Sequence, residues 1–163
     1  MAVNGVQNLM RKLNELGSVE SAMYKSVKKQ TEVVRGAAVR LCPVYAGPWK
    51  FVARGELKRS IYTEVEQNAD ATIGCVYTNA AHAPFVEFGT GPIGQSNHVG
   101  ISPNVPVSYT QEAWVWMDDE GDFHTTKGQP AQPFMYPALK SMEKHVVNAI
   151  KSDLRAEIKK AGG

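Results

Sequence analysis

The sequence predicts an α+β fold: an antiparallel β-sheet of about four strands, with N-terminal helices and a long C-terminal helix packed on one face. Three observations carry that prediction. Apolar residues recur at helical spacing near both ends of the chain. The middle holds two pairs of strand-forming runs, each pair split by a turn-prone cluster. Strands and helices do not alternate as a parallel, doubly wound sheet requires. With 163 residues, 43% of them hydrophobic and 21% charged, the chain has the make-up of a single domain, 1–163, whose core needs no disulfide or metal staple.

Val6, Leu9, Met10, Leu13 and Leu16 share one helical face, and Gly17-Ser18 reads as a break at which Ser18 caps a second helix. Val19, Met23, Val27, Val34, Ala38 and Leu41 continue the stripe, while Lys25, Lys28, Lys29, Glu32 and Arg35 fall largely on other faces. Residues 1–42 are therefore N-terminal helices, stopped by Pro43, because a residue before proline is pushed out of the helical region. Residues 43–58 read as a loop built on Pro43, Gly47, Pro48 and Gly55. Its Trp49 and Phe51 need a surface to cover, either the chain's own core or a subunit contact.

Residues 59–66 and 71–78 should pair as a hairpin across Asn68-Ala69-Asp70, with Ile61, Tyr62, Val65, Ile73, Val76 and Tyr77 as strand-formers. Asn79 to Ala83 starts a short helical turn carrying Phe85-Val86-Glu87-Phe88, its aromatics inward, closed by Gly89 in a left-handed conformation. From Gly89 to Gln111 the chain is rich in Gly, Pro, Ser and Asn without periodicity. A loop of that length usually binds something or orders on assembly, so residues 89–111 are expected to form an extended assembly arm, mobile in the monomer. Residues 113–117 and 123–126 give a second hairpin with the acidic tip Asp118-Asp119-Glu120-Gly121-Asp122. Pro137 then suits the first turn of a last helix, 137–161, with Leu139, Met142, Val146, Ile150, Leu154 and Ile158 as its apolar stripe.

Little in this order supports chemistry. Gly89-Thr90-Gly91 lacks the Gly-Lys-Ser/Thr of a phosphate loop and the spacing of a dinucleotide fingerprint. His82, His98, His124 and His145 are scattered, and Cys42 and Cys75 form no metal-ligand pattern, so no cofactor and no metal are expected. The thiols read as two buried cysteines in a reducing compartment. The acidic tip lacks the later bidentate glutamate of a calcium loop; it reads as a solvated hairpin end, or as one facing a channel or a basic partner. Glu87, set between aromatics, is either an acid/base candidate, the partner of a basic helix, or a cap for a backbone turn. No catalytic residues are assigned. No apolar run reaches the roughly 20 residues that span a bilayer, and the N-terminus lacks the apolar core of a secretory signal, so a soluble protein without a membrane partner is expected.

The formal net charge of +2 hides a segregation. Residues 1–59 carry eleven Lys/Arg against four Asp/Glu, residues 60–139 one against nine, and residues 140–163 six against three. Opposite potentials on one chain suit complementary contact between neighbouring copies, although solvated helix faces give the same pattern.

Four segments, in order, resemble the lambdoid tailed-phage tail-component family of small neck or tail-completion proteins: Pro43; Gly55-Glu56-Leu57-Lys58-Arg59-Ser60-Ile61; Ala83-Pro84-Phe85-Val86-Glu87-Phe88-Gly89-Thr90-Gly91; and Pro133-Phe134-Met135-Tyr136-Pro137-Ala138-Leu139. The resemblance spans roughly residues 20 to 160. It departs from the family at Val44 to Arg54, which replaces a short Asp-Thr-Gly turn. It implies a structural virion protein at the head-tail neck, a ring of itself, hexameric or else dodecameric. Implied partners are a head-closure or connector protein, a tail terminator or tail tube protein, and packaged DNA passing through the channel. On this reading the assembly residues are Trp49, Phe51, Phe85, Glu87, Phe88, Gly89, Gly91, Asp118, Asp119, Glu120, Asp122, Phe134 and Tyr136. The alternative is a DNA-contacting connector or packaging accessory protein that uses Lys25, Lys28, Lys29 and Arg35.

Overall fold

The computed structural model describes residues 2–44, 55–68, 70–117 and 120–161, with side chains in the first helix described at residue 12 and from residue 17 onward. The elements run α1 (Ala2–Leu41), α2 (Glu56–Arg59), β1 (Ile61–Gln67), β2 (Thr72–Thr78), α3 (Ala83–Phe88), α4 (Gly91–Ser96), β3 (Trp114–Met117), β4 (Phe123–Thr126) and α5 (Met135–Ala161). Trp49, Phe51, Asp118, Asp119 and all but the first residue of the Val44 to Arg54 departure lie outside the described residues. The chain divides into two compact units, residues 1–34, 63–76 and 142–163 in one and residues 35–62 and 77–141 in the other.

In the first unit the tip of the β1–β2 hairpin and the distal part of α5 both lie against α1. Gln67 Nε2 donates to the Glu20 carbonyl at 3.4 Å, the Thr63 hydroxyl donates to the Glu32 carboxylate, and Ser26 Oγ donates to Asp153 Oδ2 at 2.7 Å. Gly74 lets the strand approach closely: a Cβ there would strike the Thr31 hydroxyl and stand 3.1 Å from Val27 Cγ1. The hairpin turn is held by Asn68, whose Oδ1 accepts the N–H groups of Asp70 at 3.0 Å and Ala71 at 2.8 Å. Val27 and Val34 are buried beside Ser26, Gln30 and Thr31. Thr31 satisfies its hydroxyl on the Val27 carbonyl at 2.8 Å, while Gln30 Oε1 is buried with no hydrogen-bond partner.

Among the described residues the second unit holds most of the buried apolar ones: Ala37, Ala38, Cys42, Leu57, Ile61, Ala83, Phe134 and Ala138. Ser60 joins α2 to β2: its hydroxyl donates to the Leu57 carbonyl at 2.9 Å and accepts from the Thr78 hydroxyl at 2.6 Å. The second hairpin pairs Trp114 with Thr126, Val115 with Thr125, Trp116 with His124 and Met117 with Phe123.

The mixed helix-and-sheet class stands, but five expectations are corrected. The strands form two separate two-stranded antiparallel sheets, not one sheet of about four. The backbone flanking the second hairpin pairs elsewhere: Thr90 and Gln129 exchange N–H to carbonyl bonds at 2.9 and 3.1 Å, and the Ile93 N–H reaches the Lys127 carbonyl at 3.4 Å. Second, α1 is continuous through Gly17-Ser18. The apolar pattern of the sequence keeps phase through the glycine, and an interior glycine costs only roughly 1 kcal/mol relative to alanine, so the helix runs on.

Third, residues 89–111 are not an extended arm. Their first part coils into α4, and Tyr109 OH donates to the Phe88 carbonyl at 2.9 Å, bringing the far end back to where the segment begins. His98 stacks on Tyr109 with ring centroids 5.9 Å apart, and Gln111 Nε2 donates to Gln95 Oε1 at 2.8 Å. Fourth, some apolar residues point the other way. Phe85 is 55% exposed, and Leu139 and Ile158 are exposed on α5. The thiols divide as well: Cys42 is buried, Cys75 is exposed, and both are free.

Candidate assembly site

α3 is short, and what it delivers is one carboxylate. Pro84 sits in its first turn, where a missing N–H costs nothing, and Gly89 ends it at φ 74 and ψ 178. That positive φ is glycine's territory, though not the left-handed helical cap expected. Six residues of helix place Glu87 inward at 6% exposure while Phe85 faces out and Phe88 is half-buried.

Glu87 caps the N-terminus of α5 from a distance of 47 residues along the chain. Its Oε2 accepts the N–H of Phe134 at 2.7 Å and of Met135 at 3.0 Å, and its Oε1 accepts the N–H of Tyr136 at 3.0 Å. The next residue is Pro137, which has no N–H to satisfy. The orphan donors at the start of this helix are therefore met by one side chain, and the negative charge sits at the positive end of a 27-residue helix. With Phe134 fully buried and Ala138 one turn on also at 0% exposure, the same few residues anchor the core of this unit.

Around that cap the segment 127–132 is laced to 85–97. Beyond the Thr90 and Gln129 exchange, Gln129 Nε2 donates to the Phe85 carbonyl at 2.9 Å, the Gln132 N–H to the Val86 carbonyl at 2.8 Å, and the Ala131 N–H to the Asn97 carbonyl at 2.8 Å. The close approach depends on glycines. A Cβ on Gly89 would lie 2.7 Å from the Ala131 nitrogen, and a Cβ on Gly128, at φ +102, would fall on the Thr90 carbonyl oxygen. Gly91 is buried at φ 60 beneath the Lys127 carbonyl and Trp114.

The structure thus gathers Glu87, Phe88, Gly89, Gly91, Phe134 and Tyr136 into one hydrogen-bonded junction. It places Glu120 and Asp122 apart from it, exposed at the tip of the second hairpin. Sequence reading missed Thr90, Tyr109, Gly128 and Gln129. Only Gly128, in a Lys-Gly-Gln-Pro stretch, carried a visible turn signal. Cys42, buried in the same compact unit, has its thiol pushed above the ordinary 9.0, chiefly by burial; Lys58 opposes this and Glu87 adds to it. Among the described residues no group of His, Cys, Asp or Glu is arranged to hold a metal, and no helix is long and apolar enough to cross a membrane. The chemistry available at the junction is that of a structural joint, because both Glu87 oxygens are engaged by backbone donors.

No curated protein and no solved structure matches the chain. Residues 7–89 match the HK97-gp10-like family, described as a bacteriophage tail component. The match runs from α1 to Gly89, so it includes Glu87 and stops short of the helix that Glu87 caps. A match over half of its length makes this chain a member of the HK97-gp10-like family of bacteriophage tail components.

Proposed function

We propose that this phage structural protein forms a homo-oligomeric ring at the head-tail neck, completing the tail or joining it to the head around the DNA channel. Six copies are the preferred number and twelve the alternative. One side of the ring would meet a head-closure or connector protein, the other a tail terminator or tail tube protein. The observation that carries the reading is the junction itself. Within a tail-component family, the one buried carboxylate among the described residues caps α5 and ties α3 to the start of that helix, which is what a rigid building block requires. A ring needs two different, mutually complementary surfaces on each subunit, and the basic ends and acidic middle of the chain are consistent with that demand.

A nonsense mutation in the gene, made in the phage that encodes it, should leave DNA-filled heads and tails that fail to join. Supplying the protein in trans should restore infectious particles with extra density at the neck. Normal virions without the protein would overturn the proposal. A DNA-contacting role has one observation in its favour, the exposure of Lys25, Lys28 and Lys29 on α1. It requires affinity for duplex DNA that falls steeply with salt, and that falls further when the three lysines become glutamate.

A further inference from the structure

The β3–β4 hairpin carries apolar side chains on both faces. Trp114, Trp116, His124 and Thr126 are half-buried on one side, with the Trp116 and His124 rings 4.8 Å apart. On the other side Val115 and Met117 are each 60% exposed and Phe123 is 75% exposed. An isolated two-stranded hairpin is marginal in water, and an uncovered Val/Met/Phe cluster on one is an interaction surface in need of a partner. Its tip is acidic, with Glu120 and Asp122 exposed.

A complementary surface lies on α5. Lys144, Val147, Lys151, Arg155 and Ile158 recur at spacings of three and four residues, and all five are exposed. They form one stripe, about 21 Å long at the rise of an α-helix, in which Val147 and Ile158 are interspersed among three cations. We infer that the β3–β4 hairpin of one copy docks on this α5 stripe of a second copy, with Val115, Met117 and Phe123 against Val147 and Ile158 and the acidic tip against the lysines and Arg155. The contact joins two different surfaces, so repetition propagates it from subunit to subunit. The interleaved Val and Ile decide for protein over DNA: phosphate contacts use cations and polar groups, and two exposed aliphatic side chains add nothing to them. The inference rests on the ring reading for its biological setting, but not for its chemistry.

The test uses the full chain with Cys75 replaced by serine, so that oxidation links only introduced thiols. Met117→Cys and Val147→Cys proteins, mixed and oxidised, should give one cross-linked dimer, and the double variant a ladder of linked copies. Phe123→Ser or Val147→Asp should each weaken self-association by about tenfold or more, as loss of a central anchor does, with the helical circular dichroism unchanged. Assembly that proceeds without the 117–147 cross-link overturns the inference and leaves the ring standing. A chain that stays monomeric at about millimolar concentration overturns it too, as does a set of α5 variants that lose duplex DNA binding and keep self-association. Virions lacking the protein would remove the neck reading while a positive cross-link still upheld the contact.

Discussion

Replacing Glu87 by alanine removes the acceptor for three N–H groups at once. The Phe134 nitrogen belongs to a residue with no exposure, so its donor has no route to water and carries the full cost of an unsatisfied group, about 1–3 kcal/mol. Met135 and Tyr136 are half-buried, and solvent can replace part of what they lose. Loss of the charge at the helix N-terminus adds up to about 2 kcal/mol in a partly buried setting. The sum is about 3–5 kcal/mol, or roughly 6–20 °C in Tm for a chain of this length. The fluorescence of Trp114 and Trp116, in the same compact unit, reports it during urea unfolding. Glu87→Gln keeps the shape but turns an amide N–H₂ toward a backbone N–H, so it should fall between wild type and alanine. A Glu87→Ala midpoint within about 1 kcal/mol of wild type would refute the reasoning, because it would mean that the helix start is satisfied without this side chain.

Gly17→Ala should stabilise α1 by about 0.5–1 kcal/mol, since the position is helical and a Cβ meets nothing within 4 Å; a loss of helicity in circular dichroism would mean the helix breaks there after all. Gly128→Ala should destabilise by more than about 2 kcal/mol, because a side chain at φ +102 runs into the Thr90 carbonyl, and an unchanged unfolding midpoint would contradict the close approach. A thiol reagent on the native protein should modify Cys75 quickly and Cys42 only after denaturation; equal rates would contradict the burial. The raised Cys42 thiol favours the fold while neutral: its contribution is complete below the unfolded thiol value and is lost as pH rises from there through the folded one. Stability measured above about pH 9 should therefore fall less steeply in Cys42→Ala than in wild type.

The helices and hairpins were legible because each writes its own period into the chain. The 3.6-residue stripe of α1 and α5 and the two-residue alternation of the strands are local consequences of backbone geometry. The Gly17-Ser18 break was misread because glycine was weighed as punctuation. The phase of the flanking stripe, unbroken from Leu16 to Met23, was the stronger signal. Within the candidate site, Pro137 and Gly89 were visible as helix punctuation, and Glu87 was narrowed to an acid/base group, an ion-pair partner or a cap. The choice among these depends on donors 47 to 49 residues away.

Amino-acid order alone determined the class of the long helices and of both hairpins, the likeness to phage tail components and the charge segregation, since these depend on residue identity and near-neighbour spacing. Tertiary structure alone decided that the strands stay in two sheets, that the glycine-rich segment folds back through Tyr109, that Glu87 caps α5, and that Phe85 and Phe123 face outward. The physical reason is common to all four. A backbone N–H must find an acceptor, and a ring must find a surface, but sequence spacing does not say which distant segment supplies it.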